Sequence, residues 1–283
     1  MTNGLSALGV PFKENEKLAD YTTFKVGGEA RAVLFPRTRS ELKRCVDFCG
    51  ENPVIIGNGS NVLVSDDGYD GVVISTLKLR KIKLSGNILE AESGVRISEI
   101  IRTACENSLG GIEFATGIPA TVGGLVAMNG GCFNKNVSDV VCFVKTDKTA
   151  YNNAQCEFSY RSSRFLHEPI YSVGLKLSVK EYESIDKKIE LFTNLRKNKQ
   201  PKGNSCGSVF LNDGFYAGKV IDEAGLKGYR IGGACVSKEH ANFIINCGGT
   251  AADIYNLIRY IKSVVFEKTG ISLCEEVRYI GKF

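Results

Sequence analysis

Residues 203–212 read Gly203-Asn204-Ser205-Cys206-Gly207-Ser208-Val209-Phe210-Leu211-Asn212, setting two hydroxyls among glycine and apolar residues ahead of a helix-like run. A Gly-Ser pair before Val-Phe is commonly a turn that enters a strand, so the hydroxyl becomes chemical only if other groups converge on it. Candidate partners are present. Arg161 stands between Tyr160 and Ser162, and its planar fork can grip a carboxylate at two points. A solvated surface arginine carries the same signature. In the run Leu273 to Ile280, period-two alternation predicts a strand with Cys274, Glu276, Arg278 and Ile280 on one face. Leu273, Glu275, Val277 and Tyr279 then share the other face, and a charged face of this kind is also what a solvated strand presents.

Two glycine-rich stretches add a different chemistry. Gly57-Asn58-Gly59-Ser60-Asn61 directly follows the strand-like Val54-Ile55-Ile56. Glycine lets the backbone approach a phosphate closely, and Ser60 and Asn61 can add hydrogen bonds. A plain tight turn is the competing reading. The dinucleotide fingerprint Gly-x-Gly-x-x-Gly fails here because Val62 holds its last position and a strand follows, which disfavours a Rossmann domain. Gly117-Ile118-Pro119-Ala120-Thr121-Val122-Gly123-Gly124 joins small residues to a rigid proline, so a flat ligand can lie against the backbone. A close-packed glycine turn would read the same way.

The elements that must hold these residues alternate between strand and helix. Residues 32–35 predict a strand, and Ser40 is the expected N-cap of a helix through Leu42, Cys45, Val46 and Cys49, stopped by Gly50. Strands follow at 62–64 and 72–74, then at 82–84 and 88–91, before a helix from about Ser98. Further strands are expected at 140–144 and 170–179, with a charged helix over 184–197. Pro201 and Gly203 mark the clearest boundary. Beyond it come a helix over 216–224, strands at 229–231 and 243–246, and a long helix opened by the capping-box match Thr250-Ala251-Ala252-Asp253. The pattern is α+β in three pieces: 1–76, 77–200 and 201–283.

Composition narrows the function classes. With 283 residues, 43% hydrophobic and 24% charged, the chain is an ordinary globular one, long enough for more than one core. Lys and Arg exceed Asp and Glu by 36 to 31, and the only basic run, Arg196 to Lys202, is too short to predict a nucleic-acid partner. The 10 cysteines include no Cys-x-x-Cys pair and there are only 2 histidines, His167 and His240, so no clustered zinc site is expected. No signal-peptide pattern opens the sequence and no apolar stretch reaches the length of a membrane span. A cytoplasmic enzyme with reduced cysteines is the expectation.

Taken in order from about Tyr21 to Ile280, these motifs resemble the UDP-N-acetylenolpyruvoylglucosamine reductase family of flavoenzymes. The resemblance implies an FAD-binding part of the vanillyl-alcohol-oxidase type in two subdomains, 1–76 and 77–200, and a substrate-binding α+β domain at 201–283, whose final strand can return to the FAD-binding part. It implies that Gly57, Asn58, Gly59, Ser60 and Asn61 hold the pyrophosphate of non-covalent FAD. Gly117, Ile118, Pro119, Thr121, Gly123 and Gly124 would lie against the flavin. Asn129-Gly130-Gly131 continues the match, with Ala120 and Gly130 as mild departures. By the same resemblance Ser208 is the proton donor, and the glutamate immediately before Val-Arg, Glu276, is catalytic together with Arg161. Tyr160, Asn212 and Tyr216 would contact the substrate, an enolpyruvyl ether of a UDP-sugar. NADPH would give a hydride to the flavin N5, and the enolpyruvyl terminal carbon would receive it. Leu211 and Asp213 replace the family's usual Lys and Pro beside Asn212. The short segment from Lys145 to Cys156 fits the family's shorter form. His240 reads as structural or substrate-positioning. An alcohol or hydroxy-acid oxidase of the same fold is the rival, but it leaves Ser208, Arg161 and Glu276 unexplained as a set.

Overall fold

In the computed structural model, which describes residues 2–283, the first strong helix is Arg39–Cys49. Its N-cap is Thr38 rather than Ser40: the Thr38 hydroxyl accepts from the Glu41 amide, and Ser40 falls inside the first turn. Both residues can cap, and the extended backbone at Thr38 decides. Leu42, Cys45 and Val46 form the buried face, and Gly50 ends the helix with a positive φ of 72°.

The chain divides into two units, each assembled from separated stretches. The first comprises Met1–Lys13, Ala32–Asn58 and Val72–Arg196. Its main sheet has five antiparallel strands in the order Ala150–Asn152, Val141–Thr146, Ile170–Lys176, Ile88–Glu92, Ile82–Ser85. Leu89, Ala91, Val144, Val173 and Leu175 of this sheet are buried together with Ile97, Ile100 and Ile101 of the helix Ile97–Glu106 and with Val122 and Val126. A second core in the same unit gathers Leu34, Leu42, Cys45, Ile74 and Leu79. There Val54–Ile56 runs parallel to the strand Tyr69–Ser75, with Val54 opposite Val73 and Ile56 opposite Ser75. The parallel pairing delivers the chain from Ile56 straight into Gly57.

The second unit comprises Glu14–Arg31, Gly59–Gly71 and Lys197–Phe283. It is organised by the helix Ala251–Thr269, whose apolar stripe Ile254, Leu257, Ile258, Ile261 and Val265 is fully buried. The predicted capping box forms, with Thr250 Oγ1 accepting from the Asp253 amide and the Asp253 carboxylate accepting from the Thr250 amide. Asp66 adds a second carboxylate at this helix start, accepting from the amides of Ala251 and Ala252 at 2.9 and 2.8 Å. The stripe packs with Phe24, Val26, Leu63, Val209, Phe210 and Val277. Strands Arg230–Ile231, Ala234–Val236 and Ile244–Asn246 form an antiparallel sheet.

The strand expected over Leu273 to Ile280 is shorter. Only Arg278–Ile280 is regular, paired in parallel with Val62–Val64, while Glu275 makes a single bridge to Phe210. Two-fold alternation therefore breaks at Glu275 and Glu276, both half-buried, before buried Val277. The ten cysteines are all free thiols.

Candidate active site

Within the first unit, Gly57 and Asn58 are tied to the second glycine-rich stretch. Asn58 Nδ2 donates to the Pro119 carbonyl at 2.7 Å. A β-carbon on Gly57 would collide with Thr121 Oγ1 and come within 3.3 Å of its Cγ2, so only glycine fits without displacing that side chain. Thr121 is buried and caps the short helix Val122–Ala127, accepting from the Gly124 amide. Gly123 donates its amide to Ser93 O at 3.0 Å. Thr121 and Gly123 thus shape the loop from beneath, whereas Gly117, Pro119 and Gly124 are exposed along it.

Residues 57–61 have a one-sided hydrogen-bond account. Gly59 O accepts from Thr23, and Asn61 O accepts from Arg278 at 3.0 Å. No amide of residues 57–61 donates to the protein's loop and turn bonds among the described residues. With glycine at 57 and 59, the loop has no side chain at those positions to bar the pyrophosphate that the resemblance implied. The Asn61 side chain is committed elsewhere, donating to Glu276 O at 3.0 Å.

Arg161 lies in the first unit, at the corner of a tight turn in which Ser159 and Ser162 exchange backbone bonds at 3.0 and 3.3 Å. Its φ of +53° is a left-handed conformation that costs a non-glycine residue free energy. The turn is anchored from below. Buried Asn129 donates to Ser159 O at 2.8 Å, and Ser163 Oγ donates to Ala127 O at 2.8 Å. The guanidinium lies 5.2 Å from the centre of the exposed Tyr160 ring and donates to Gly131 O at 3.4 Å. Asn129-Gly130-Gly131 thus works as the mount of the arginine turn.

Ser208 and Glu276 belong to the second unit, and their segments are bonded to each other. The Glu276 amide donates to Val209 O at 2.7 Å, and Ser208 bridges Phe243 on its other side. The two adjacent glutamates separate cleanly. Glu275 forms an ion pair with Lys262, whose Nζ stands 2.8 and 2.9 Å from its two oxygens, and so is bound into the fold. Two residues before Ser208, buried Cys206 has its thiol pushed up, first by burial and then by the nearby Glu276 charge. It stays a neutral thiol and packs as a small hydrophobe.

Of the residues expected to touch substrate, Tyr160 and Tyr216 are exposed. Asn212 is partly engaged, its Oδ1 accepting from the Ala217 amide at 2.9 Å to open the helix Ala217–Glu223. His240 accepts the Asn242 amide on Nδ1 at 3.3 Å, and burial lowers its pKa below the ordinary histidine value. Lowered in this way, the ring favours its neutral form, which leaves Nδ1 able to accept that bond. Asn129 and Asn242 are the residues for which the motifs offered no role. Both are buried, and a buried asparagine has to find hydrogen-bond partners, here backbone groups. No group of His, Cys, Asp and Glu able to hold a metal occurs among the described residues.

Two glycine-rich stretches on a mixed α+β scaffold give the architecture of an FAD-binding oxidoreductase of the vanillyl-alcohol-oxidase type. Comparison with known proteins agrees. Residues 30–146 match an FAD binding domain, and residues 199–280 match the C-terminal domain of UDP-N-acetylenolpyruvoylglucosamine reductase. The reductase of Caldicellulosiruptor bescii is 42% identical, over 97% of this chain and 92% of that protein. The crystal structure of the Thermus caldophilus reductase superposes with a TM-score of 0.83 at 34% identity, covering 96% of this chain and 99% of that one. A chitooligosaccharide oxidase shares the fold at 12% identity, with a TM-score of 0.51 over 93% of this chain and 58% of its own. The chain belongs to the UDP-N-acetylenolpyruvoylglucosamine reductase family.

Proposed function

We propose that this protein reduces the enolpyruvyl ether of UDP-N-acetylglucosamine to UDP-N-acetylmuramate, a step in peptidoglycan precursor synthesis, with NADPH as reductant. FAD, held by the glycine-rich loops, would supply the redox chemistry by which a hydride from NADPH reaches the terminal carbon of the enolpyruvyl group. Gly57, Asn58, Gly59, Ser60 and Asn61 would hold the FAD pyrophosphate, by backbone amides and the Ser60 hydroxyl, since the Asn58 and Asn61 side chains are bonded to Pro119 O and Glu276 O. Gly117, Ile118, Pro119, Thr121, Gly123 and Gly124 form the ledge under the flavin. Arg161, presented on its strained turn, binds the substrate carboxylate at two points, and Glu276 acts with it so that charge develops on the adjacent carbon. Ser208 delivers the proton to that carbon. A serine hydroxyl is a weak acid, and it protonates carbon only where a carbanion-like centre is already forming. The atoms balance: one hydride and one proton add across the double bond, and the serine is reprotonated from solvent. Tyr160, Asn212 and Tyr216 contact the UDP-sugar, residues 201–283 forming the substrate-binding domain and residues 1–76 and 77–200 the two FAD-binding subdomains. The setting is the cytoplasm, in keeping with free thiols and with the lack of any described helix long and apolar enough to cross a membrane.

The observation that supports this reading most is the 2.7 Å bond from the Glu276 amide to Val209 O, which fixes the serine and glutamate segments side by side. An oxidase acting on an alcohol or hydroxy acid would share the flavin loops, but it has no use for the reductase-type C-terminal domain matched over residues 199–280. Stopped-flow flavin absorbance tests the proposal with Ser208→Ala, each half-reaction followed separately. Reduction by NADPH stays at the wild-type rate, and reoxidation by the UDP-enolpyruvyl sugar slows by ~10²–10⁴-fold, the range for a lost positioned acid. Ser205→Ala is the control in the same loop. Normal reoxidation in Ser208→Ala would refute the assignment of the proton donor.

A further inference from the structure

Asn242 is 2% exposed, and all of its hydrogen-bonding capacity toward the serine segment is in use. Its Nδ2 donates to Phe210 O at 2.8 Å and its Oδ1 accepts the Phe210 amide at 2.9 Å. Its backbone carbonyl accepts the Val209 amide at 2.9 Å. One residue therefore binds the two residues that follow Ser208 at three points. Regular strand pairing is missing there: Ser208 and Phe210 make only isolated bridges, to Phe243 and Glu275. A carboxamide carries the same acceptor and donor as a peptide group, so the Asn242 side chain takes the place of a neighbouring strand. The line of bonds continues, because the carbonyl of Val209 takes the Glu276 amide at 2.7 Å. From the far side Asn61 Nδ2 holds Glu276 O at 3.0 Å.

We propose that Asn242 is a positioning residue for the oxidative half-reaction, fixing the backbone that carries Ser208 and, through Val209, the backbone of Glu276. The inference rests on the role given to Ser208 above. Buried as it is, Asn242 acts by holding the hydroxyl where proton transfer is short. Misplacement of a reacting group by about 1 Å costs on the order of 10²-fold in rate. Asn242→Asp is the sharpest perturbation, since it keeps the shape but sets a carboxylate oxygen against Phe210 O in place of a donor.

The experiment measures both half-reactions in flavin-loaded enzyme, by stopped flow, for Asn242→Asp, Ser208→Ala and the double variant. Reduction by NADPH is expected within about 2-fold of wild type, and reoxidation by the enolpyruvyl substrate is expected to slow by ~10–10²-fold. In the Ser208→Ala background, Asn242→Asp should add less than about 2-fold, because a residue that acts through the serine has nothing left to position. A residue with only a structural role would slow both half-reactions, or lower flavin content, in either background. Slowing of both half-reactions, additive slowing in the double variant, or wild-type reoxidation in Asn242→Asp overturns the proposal. If Ser208→Ala itself reoxidises normally, the serine assignment fails first and this inference with it. If Ser208→Ala is slow and Asn242→Asp is not, only the role of Asn242 fails. Should Asn242→Asp not give folded yellow protein, Asn242→Ser is read in the same way, and loss of folded protein in both assigns Asn242 to the fold alone.

Discussion

Replacing Gly57 by alanine adds one methyl group at the point where the two flavin loops touch. That carbon would overlap Thr121 Oγ1 and press on Cγ2 at 3.3 Å and Cβ at 3.4 Å. Thr121 cannot swing aside freely, being buried and bound to the Gly124 amide as the cap of Val122–Ala127. Overpacking of one methyl in such a site costs about 1–3 kcal/mol, and displacing the cap adds about 0.5–2 kcal/mol. Thr121→Ala alone should cost only the cap, roughly 1 kcal/mol, because it removes Oγ1 and Cγ2 and leaves a Cβ at ordinary contact distance. The double variant should then resemble Thr121→Ala, with a favourable coupling of about 1–3 kcal/mol between the two changes. Urea unfolding of the four proteins without FAD gives the cycle, and FAD titration follows the same order because the loop geometry follows the collision. Additive losses would refute the reasoning, since they would mean that the methyl on Gly57 is harmful for some reason other than Thr121.

Arg161→Lys keeps the charge but loses the fork, so reoxidation by substrate should fall by ~10²-fold while FAD content is unchanged; near-normal turnover would make Arg161 a surface residue. His240 is half-buried and desolvation depresses its pKa, so the unfolded chain binds more protons just below the ordinary value of 6.5. Its contribution to stability is therefore held above that pH and lost as pH falls below it, and Tm against pH should be flatter in His240→Gln. Identical pH profiles for the two proteins would contradict this. Of the ten thiols, the exposed Cys247 and Cys274 should react first with a disulfide reagent, and buried Cys45, Cys105, Cys156, Cys206 and Cys235 only on unfolding. Mass mapping of early adducts checks the order.

Elements governed by local pattern were legible in the sequence. The apolar stripe of Ala251–Thr269, its capping box and the strand into Gly57 all lie where periodicity and caps place them. Misreadings occur where tertiary contacts choose between locally equivalent options. Thr38 and Ser40 are both able caps, and the approach of the chain selects the first. Alternation over Leu273 to Ile280 looked like one strand, but Glu275 leaves the ladder to meet Lys262 and Asn61 draws in the carbonyl of Glu276. The preference for Glu276 over Glu275 came from family resemblance; the structure adds that Glu275 is paired with Lys262. The roles of Asn242 and Asn129 could not be read from the sequence because the backbone each one serves lies 32 and 30 residues away.

The bond from Asn61 to Glu276 spans 215 positions of the chain, and Val62–Val64 pairs in parallel with Arg278–Ile280 just beyond it. A nascent chain on the ribosome thus holds an early strand edge with no neighbour until nearly all of its length has emerged. Closing so large a loop is entropically slow, and an unpaired strand edge is what other chains and chaperones recognise in the meantime. The second unit is accordingly a late event of synthesis, and a ribosome that stalls before Arg278 leaves Leu63 without the strand that flanks it.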